Sequence, residues 1–596
     1  MIPVFLDIET DGLDYTKIHC VCWSNSICSR YETTRLELEA AVETPDYVFV
    51  MHNGLSFDSK ALEDCWGIKI PKERIIDTFV VSRLANYRKF RTHSLEELGE
   101  YLGLPKGTPP TDWSVKTKEM VDYCKRDVEV TKKIYEMYEE FIFDPKNKEA
   151  LRLEHDFQYF ISRKEPFPFD TPKAVELKMN VENDLSKIDF SRFDKKETQT
   201  YTLKYKKDGN LTVNSLKWLE KGEHRVVDEE KNLLERTLST PFNPASPKQR
   251  VDLLWEYGWA PINPTKSYLD KKKAGELDEH TKRYGWKCDE DNLSTLPESA
   301  PDEVKDLARW ITLNSRKTML EGFLEADKGG GINGNVFGIG AWTHRCSHSN
   351  PNSANIVSPF KGTPETPVEE IKAKYDYHIK SCFTSGHSRG SLWGVDAKGI
   401  QLRILAHYLD NEDFTKEVLD GDIHSKNQTI LGCKTRDMAK TFIYAWILGA
   451  SDYKLANILK VPFIEGRKAR EKFERAWNFS KLDRLLDIAE AQGGFHAIDG
   501  RFIEIPSRHH CLAGMLQSAE AIIMKKAYTY TGNESSTYCS RIVAFVHDEF
   551  QVISIHPPSV LSEFIKKAGE YYKLKIPMEG DITPKKSKAY TWADTH

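Results

Sequence analysis

Residues 1–145 alternate apolar runs of strand length with one long amphipathic run, and acidic residues interrupt the apolar runs. VFLDIE (4–9) and YVFVMHN (47–53) read as buried strands, and MVDYCKRDVEVTKKIYEMYEEF (120–141) reads as a long amphipathic helix. That alternation predicts an α/β layer. Asp7 and Glu9 lie two apart on the first strand, so both carboxylates leave the same face. Two hard oxygen donors side by side suit a divalent cation. HNGLSFD (52–58) supplies Asp58 shortly after the second strand, and Tyr123 and Asp127, four apart, share one face of the helix.

Acids also interrupt apolar runs near the other end. SLWGVDA (391–397) is a strand with Asp396 near its close, opening into the helical run GIQLRILAHYL (399–409). In RIVAFVHDEFQVISI (541–555), His547, Asp548 and Glu549 interrupt two strand-like runs, which predicts a β-hairpin presenting Asp548 from its turn. TRDMAKTFIYAWILGA (435–450) is a helix with Arg436, Lys440 and Tyr444 spaced along one face. Two fixed cations suit a triphosphate, and the Tyr444 ring, one turn on, suits a sugar and base.

Between these ends, residues 150–325 are mostly helical and charged, and 185–240 is polar and irregular, with Lys-Asp-Gly-Asn (207–210) predicting a turn between two strand-like runs. GGGINGN (329–335) marks a further turn. Charge is unevenly spread: the chain carries −5 overall, residues 1–150 hold 20 Lys and Arg against 27 Asp and Glu, and 434–472 hold nine against four. The total excludes a polycationic nucleic-acid coat, while the local basic stretch is compatible with phosphate. Eleven scattered cysteines without a C-x-x-C pair fit a reducing compartment, and Cys20 and Cys22 suit one face of a strand better than a zinc knuckle. The first residues lack a basic n-region, so no signal peptide is expected. FIYAWILGA (442–450) is too short to span a bilayer, and no membrane partner is expected.

Asp7, Glu9, Asp58 and Asp127, with Tyr123, resemble the metal carboxylates and tyrosine of DEDD-type 3′→5′ exonucleases. VDAKGIQLRILAHY, RDMAKTFIYAWILGA and VHDEFQV resemble motifs A, B and C of family A DNA polymerases, of the bacteriophage T-seven type. GDIHSKNQ (421–428), HRCSHSNPN (344–352), LQSAEA (516–521), FNPASPKQR (242–250) and the terminal WADTH resemble the same family, and the likeness is weakest at 185–240.

The resemblance implies an α/β multidomain chain: an RNase H-like DEDD exonuclease domain at 1–145, then a right-hand polymerase domain. Its thumb and polymerase start would occupy 146–328 (with 185–240 an insertion or thumb tip), its palm 329–425 and 495–596, and its fingers 426–494. It implies a replicative DNA-dependent DNA polymerase that adds dNTPs to a primer 3′-OH and proofreads. Two Mg2+ ions (or Mn2+) at each site would be held by Asp396, Asp548 and the Ala397 carbonyl, and by Asp7, Glu9, Asp58 and Asp127. Tyr123 would orient the attacking water. Arg436 and Lys440 would grip the β and γ phosphates with His424 nearby, Lys440 also protonating the leaving pyrophosphate, and Tyr444 and Gln401 would face the incoming nucleotide. Arg345 and Gln517 would touch the minor groove, and His547, Arg316 and Lys317 the DNA. Glu549 would sit near the metals without being an essential ligand, and His596 close to the palm.

Three positions depart from the family pattern. Gln401 replaces the usual Glu of the sugar gate, with its expected hydrogen bond to Tyr444 losing charge assistance; Ala445 replaces a Gly and Leu448 a Tyr. Tyr444, Phe in some relatives, predicts ready use of dideoxynucleotides. The partners implied are primer–template DNA, dNTPs, a phage helicase–primase and a processivity factor such as host thioredoxin, for which 185–240 occupies a comparable but shorter place; Tyr201, Tyr205 and Trp218 there would alternatively serve DNA. The location implied is the host cytoplasm. No 5′-nuclease segment precedes Asp7, which favours a replicase over a repair enzyme. A single-subunit RNA polymerase shares motifs A to C, but the front carboxylates and Gln401 argue against it. The six metal carboxylates argue against a catalytically dead primer–template binder.

Overall fold

The computed structural model describes residues 1–26, 29–30, 32–221, 223–386, 390–533, 541–585 and 588–596. The chain divides into two compact units: one of Met1–Phe169, Ala326–Ile356 and Phe383–His596, the other of Asp170–Glu325 and Val357–Cys382. Among the described residues no helix is long and apolar enough to cross a membrane. Nine described cysteines are free thiols, and Cys28 and Cys539 lie outside the described residues.

The first unit contains two sheets that carry acids. The front sheet has five strands, with Ile2–Thr10 central between Ile18–Asn25 and Tyr47–Met51, Ser29–Arg30 at one edge and Ile75–Asp77 at the other. The Ile18–Asn25 strand is antiparallel to both its neighbours, and the remaining pairings are parallel. Val4, Leu6, Val21, Phe49 and Met51 form its core, with alternate positions facing the Lys118–Phe143 helix. That helix starts where the Thr117 side chain accepts from the Met120 N–H.

The second sheet has four antiparallel strands in the order Arg541–Val546, Glu549–Ser554, Ser391–Ala397, Gly580–Thr583. Its hairpin turns at His547, which adopts a left-handed φ of 53°, a conformation His tolerates better than most residues. Gly394 leaves room for a close approach: a Cβ there would lie 2.8 Å from Thr583 Oγ1 and 3.3 Å from Thr595. The C-terminal turn Trp592–Thr595 seats here, and the Trp592 indole donates to Glu549 Oε1 (3.1 Å).

The helix after the boundary expected at 145/146 packs with the later part of the chain. The Lys148–Ile161 helix belongs to the first unit, because Leu153, Phe157 and Ile161 are buried in the same core as Val395, Phe545 and Phe550. Glu154 on this helix lies in a buried charge cluster. It accepts from Lys525 Nζ (2.8 and 2.9 Å) and from Arg501, which also pairs with Asp499; Lys525 donates to the His344 carbonyl (2.9 Å).

The second unit packs around Val251, Leu254, Trp259, Val304 and Leu307. Residues 357–382, expected in the palm, join it: Tyr375 donates to Asp184 (2.6 Å), and Asp376 pairs with Arg316. In 185–240 the expected turn exists, with Tyr205 bridged to Leu211, but the run after it is the Val213–Leu219 helix, capped by Thr212 accepting from the Ser215 N–H. The Lys195–Thr202 strand pairs instead with Leu233–Thr240. Tyr201 and Trp218 stack on each other (5.4 Å between centroids), and Arg236 covers Trp218 at 4.4 Å. Trp218 thus lies between Tyr201 and Arg236, while Tyr205 is half exposed.

Glu154→Ala would leave Lys525 and Arg501 as buried cations short of a partner. The expected loss is about 3–5 kcal/mol, read as a lowered urea midpoint of the first unit.

Candidate active sites

Asp7 and Glu9 leave the central front strand toward the Lys118–Phe143 helix, which carries Tyr123 and Asp127. Asp58 opens a short helix after the Tyr47–Met51 strand. The loop before it is held by Asp77, fully buried, whose carboxylate accepts from the N–H groups of Asn53 (2.9 Å), Leu55 (3.0 Å) and Phe79 (2.9 Å). Sequence reading missed Asp77; its only signal is an N-cap position before an apolar run.

Burial, then the Asp58, Asp127 and Glu9 carboxylates, hold the Asp7 carboxyl well above the usual range. Burial and Asp127 push Glu9 up to about 9. Burial, with Asp77 and Asp127 adding, raises Asp58 to about 7, and burial raises Asp127 to about 6. Lys106 moderates this cluster: its Nζ lies 2.7 Å from Asp127 Oδ2 and 4.7 Å from the Tyr123 ring centroid. The other oxygen, Asp127 Oδ1, is buried without a hydrogen-bond partner. A cluster of hard oxygens that repel one another, one of them unsatisfied, fits a divalent cation. Lys106 was also missed, since nothing in the sequence ties it to Asp127.

In the second sheet the fold brings Asp396 and Asp548 together. The Ala397 N–H donates to the Asp548 carbonyl (2.9 Å), and Asp396 lies opposite Glu549 on one side and Asp581 on the other. The outer face of Asp396 is open to solvent, but the protein packed around its base, and then Asp548, Glu549, Asp581 and Glu520, push its carboxyl up to about 8. Burial and Glu549 raise Asp548. Glu549 is occupied by the Trp592 indole, and His596 Nε2 lies 3.4 Å from it.

The Arg436–Ile447 helix is capped by Thr435 and exposes Arg436 and Lys440. Arg436 is paired with Asp422 (2.7 and 3.0 Å), which also caps the Ile423–Leu431 helix. His424, on that helix, has its ring 6.1 Å from Tyr444, and burial followed by Arg436 and Lys440 lowers its pKa, favouring the neutral ring. Burial, then Asp548, Asp396 and Glu520, raise the Tyr444 phenol, so the tyrosine faces the carboxylates.

Gln401 does not bond Tyr444 as expected. Its amide donates to Glu520 Oε2 (2.8 Å), because a neutral amide offers a donor that a nearby carboxylate can accept. The other oxygen of Glu520 accepts from Arg345 Nη2. Glu520 is fully buried on the Arg508–Asn533 helix, one turn from Gln517, and burial raises its carboxyl to about 7. Its role went unread because a Glu among small apolar residues has no visible partner until Gln401 and Arg345 fold against it. His547 Nδ1 is buried without a partner beside His348 (6.0 Å between rings).

Arg316 and Lys317 belong to the second unit. Arg316, expected to touch DNA, is buried and forked onto Asp376 (3.0 and 3.2 Å), which engages its Nε and Nη2 within the unit. Lys317 is partly exposed near Glu321 and Glu182 (3.6 and 3.8 Å).

The model of DNA polymerase family A matches residues 213–583. The DNA-directed DNA polymerase of Escherichia phage T7 is 27% identical over 92% of this chain and 93% of its own, and that of Enterobacteria phage T3 is 26% identical over 96% and 97%. The POL domain of Pol1 from M. smegmatis, solved in complex with DNA primer-template and dNTP, has the same fold with a TM-score of 0.67 at 16% identity, covering 100% of this chain and 96% of that one. With most of its length matched, including both strands and the helix that carry the second cluster, this chain belongs to DNA polymerase family A.

Proposed function

We propose that the chain is a replicative, template-directed DNA polymerase of a phage, extending a primer 3′-OH with dNTPs and proofreading with a 3′→5′ exonuclease. The observation that carries the reading is the meeting of Asp396 and Asp548, from distant parts of the sequence, near a helix bearing Lys440, Arg436 and Tyr444. Asp7, Glu9, Asp58 and Asp127 support a second, hydrolytic centre. Asp396, Asp548 and the Ala397 carbonyl would hold two divalent cations at one site, Mg2+ being the expected ion, and the four front carboxylates would hold two at the other. Bound there, such ions lower the pKa of the attacking hydroxyl or water and neutralise charge on the leaving oxygen.

The chain's own groups then have separable tasks. Lys440 meets the triphosphate and gives a proton to the departing pyrophosphate. Arg436 exchanges Asp422 for phosphate oxygens. Neutral His424 donates a hydrogen bond beside them. Tyr444 stacks against the nucleotide, and Gln401 obstructs a ribose 2′-OH. Arg345 and Gln517 reach minor-groove acceptors shared by all base pairs. Glu520 positions both Gln401 and Arg345. At the front site Tyr123 orients the attacking water, and Lys106 steadies Asp127. The nature of any processivity factor rests on residues 185–240, and a primed-template extension assay with and without thioredoxin tests it.

Asp396→Ala is expected to abolish primer extension and spare removal of a mismatched 3′ end, and Asp7→Ala to do the reverse. One substitution that killed both activities in a folded chain would break the two-site reading. Glu520→Ala, which frees Gln401 and leaves Arg345 short of a partner, is expected to reduce dNTP-over-NTP discrimination about tenfold, measured as a ratio of kcat/KM values.

The raised carboxyls set the pH dependence. Protonation favours the folded state when its pKa exceeds the unfolded value, so this stability is full below the ordinary carboxylate range and is lost as pH rises through about 6, 7 and 9 for Asp127, Asp58 and Glu9. In EDTA, Tm should therefore fall across that window. Mg2+ should restore more at the alkaline end, and Glu9→Gln should flatten the fall above pH 7.

A further inference from the structure

Behind the front carboxylates lies a group of side chains that neither reaction uses. Cys20 and Cys22 sit on the Ile18–Asn25 strand, and Cys124 sits on the Lys118–Phe143 helix. Their three sulfurs all lie within 4.8 Å of one another, and the residues are 2%, 0% and 0% exposed. None is in a disulfide. The strand register pairs Asp7 with Cys22 and Glu9 with Cys20. Directly opposed residues share a sheet face, so two carboxylates and two thiols form one continuous ladder, and the helix lays Cys124 across it. Cys124 joins both halves: its sulfur also lies within 4.8 Å of carboxylate oxygens of Asp7 and Glu9, and it donates to the Asp7 carbonyl (3.3 Å).

We propose that Cys20, Cys22 and Cys124 form a binding site for one thiophilic divalent cation of the zinc class, side by side with the hard-oxygen site of Asp7 and Glu9. Zinc binds thiolates at about 2.3 Å, which sets sulfurs on one ion about 3.8 Å apart, a modest contraction of the group present. Soft sulfur selects zinc, while clustered carboxylates and water suit magnesium, so the two neighbouring sites sort the two cations by ligand type. Each coordinating thiol gives its proton to solvent. The Asp7 carboxylate, with an oxygen within 4.8 Å of the Cys124 sulfur, is assigned the fourth position. Occupation would draw Asp7 toward the sulfurs and away from Glu9 and Asp127. Zinc would thereby restrain the exonuclease and leave synthesis at Asp396 and Asp548 untouched. This consequence rests on the nuclease reading of the front site; the site itself does not.

The test titrates the reduced, metal-free full chain with Cd2+ and follows thiolate-to-cadmium charge transfer in the ultraviolet. One equivalent should give the intensity of three thiolates, and Zn2+ should displace it. The band should vanish in Cys20→Ser/Cys22→Ser and persist in Cys65→Ser, which changes a thiol outside the group. On the unmutated chain, a 113Cd resonance in the sulfur-ligated range reads the same site without relying on a variant's folding. Stoichiometric Zn2+ should lower 3′→5′ hydrolysis about tenfold with primer extension unchanged, and Cys20→Ser/Cys22→Ser should abolish that inhibition. No band and no sulfur-range resonance, or a band undiminished in the double variant, overturns the site. A band with zinc-insensitive hydrolysis overturns the link to Asp7. A chain that binds cadmium as expected but never hydrolyses DNA overturns the nuclease reading alone, so the two failures are distinguishable.

Discussion

The surroundings of Asp548 rest on a buried salt-bridge cluster. Glu154 and Asp499 face Arg501 and Lys525, all buried, and the charges balance. Such a cluster is a weak source of net stability but a strong source of specificity, because every misplacement strands a charge. Here it joins the helix after the front sheet, the strand pair Gly494–His496 and Phe502–Glu504, the Arg508–Asn533 helix and the His344 turn. Arg345 follows His344 directly, and Glu520 lies on the same helix as Lys525, so the cluster also fixes the two residues whose ion pair reaches toward Asp548.

Both carboxylate groups share one physical strategy. Each is mounted on a strand whose neighbours are packed apolar residues, so backbone position is rigid while the acids crowd together. Crowding and burial raise their pKa values, and the protein stores this repulsion until counter-charge arrives. At the front, Lys106 offsets part of it; at the second sheet, Trp592 and His596 from the C-terminal turn engage Glu549 and leave Asp396 with its open face. The cations of the Arg436–Ile447 helix are exposed, and Arg436 rests on Asp422. Acid stays on rigid sheets and base on an exposed helix, the arrangement that suits cations below and phosphate above.

Much of this was legible in the chain itself. Short apolar runs interrupted by acids marked the strands of Asp7, Asp396 and Asp548, and amphipathic spacing marked the helices of Tyr123 and Tyr444. Local chemistry suffices there, because burial of one face dictates the element. It failed where a side chain's partner is distant. Arg316 was expected to touch DNA and is forked onto Asp376. Gln401 looked bound to Tyr444 and bonds Glu520. Residues 357–382 looked like palm and pack with the second unit.

Sequence alone determined the elements on which the candidate residues of both acid groups sit, since spacing sets the direction of a side chain within its own strand or helix. Tertiary structure alone decided the company they keep: Cys124 with Cys20 and Cys22, Glu520 with Gln401 and Arg345, Lys106 with Asp127. The reason is physical. Direction along an element is a local property of backbone geometry, whereas the balance of charge and burial at a point in space is a sum over residues that only packing brings together.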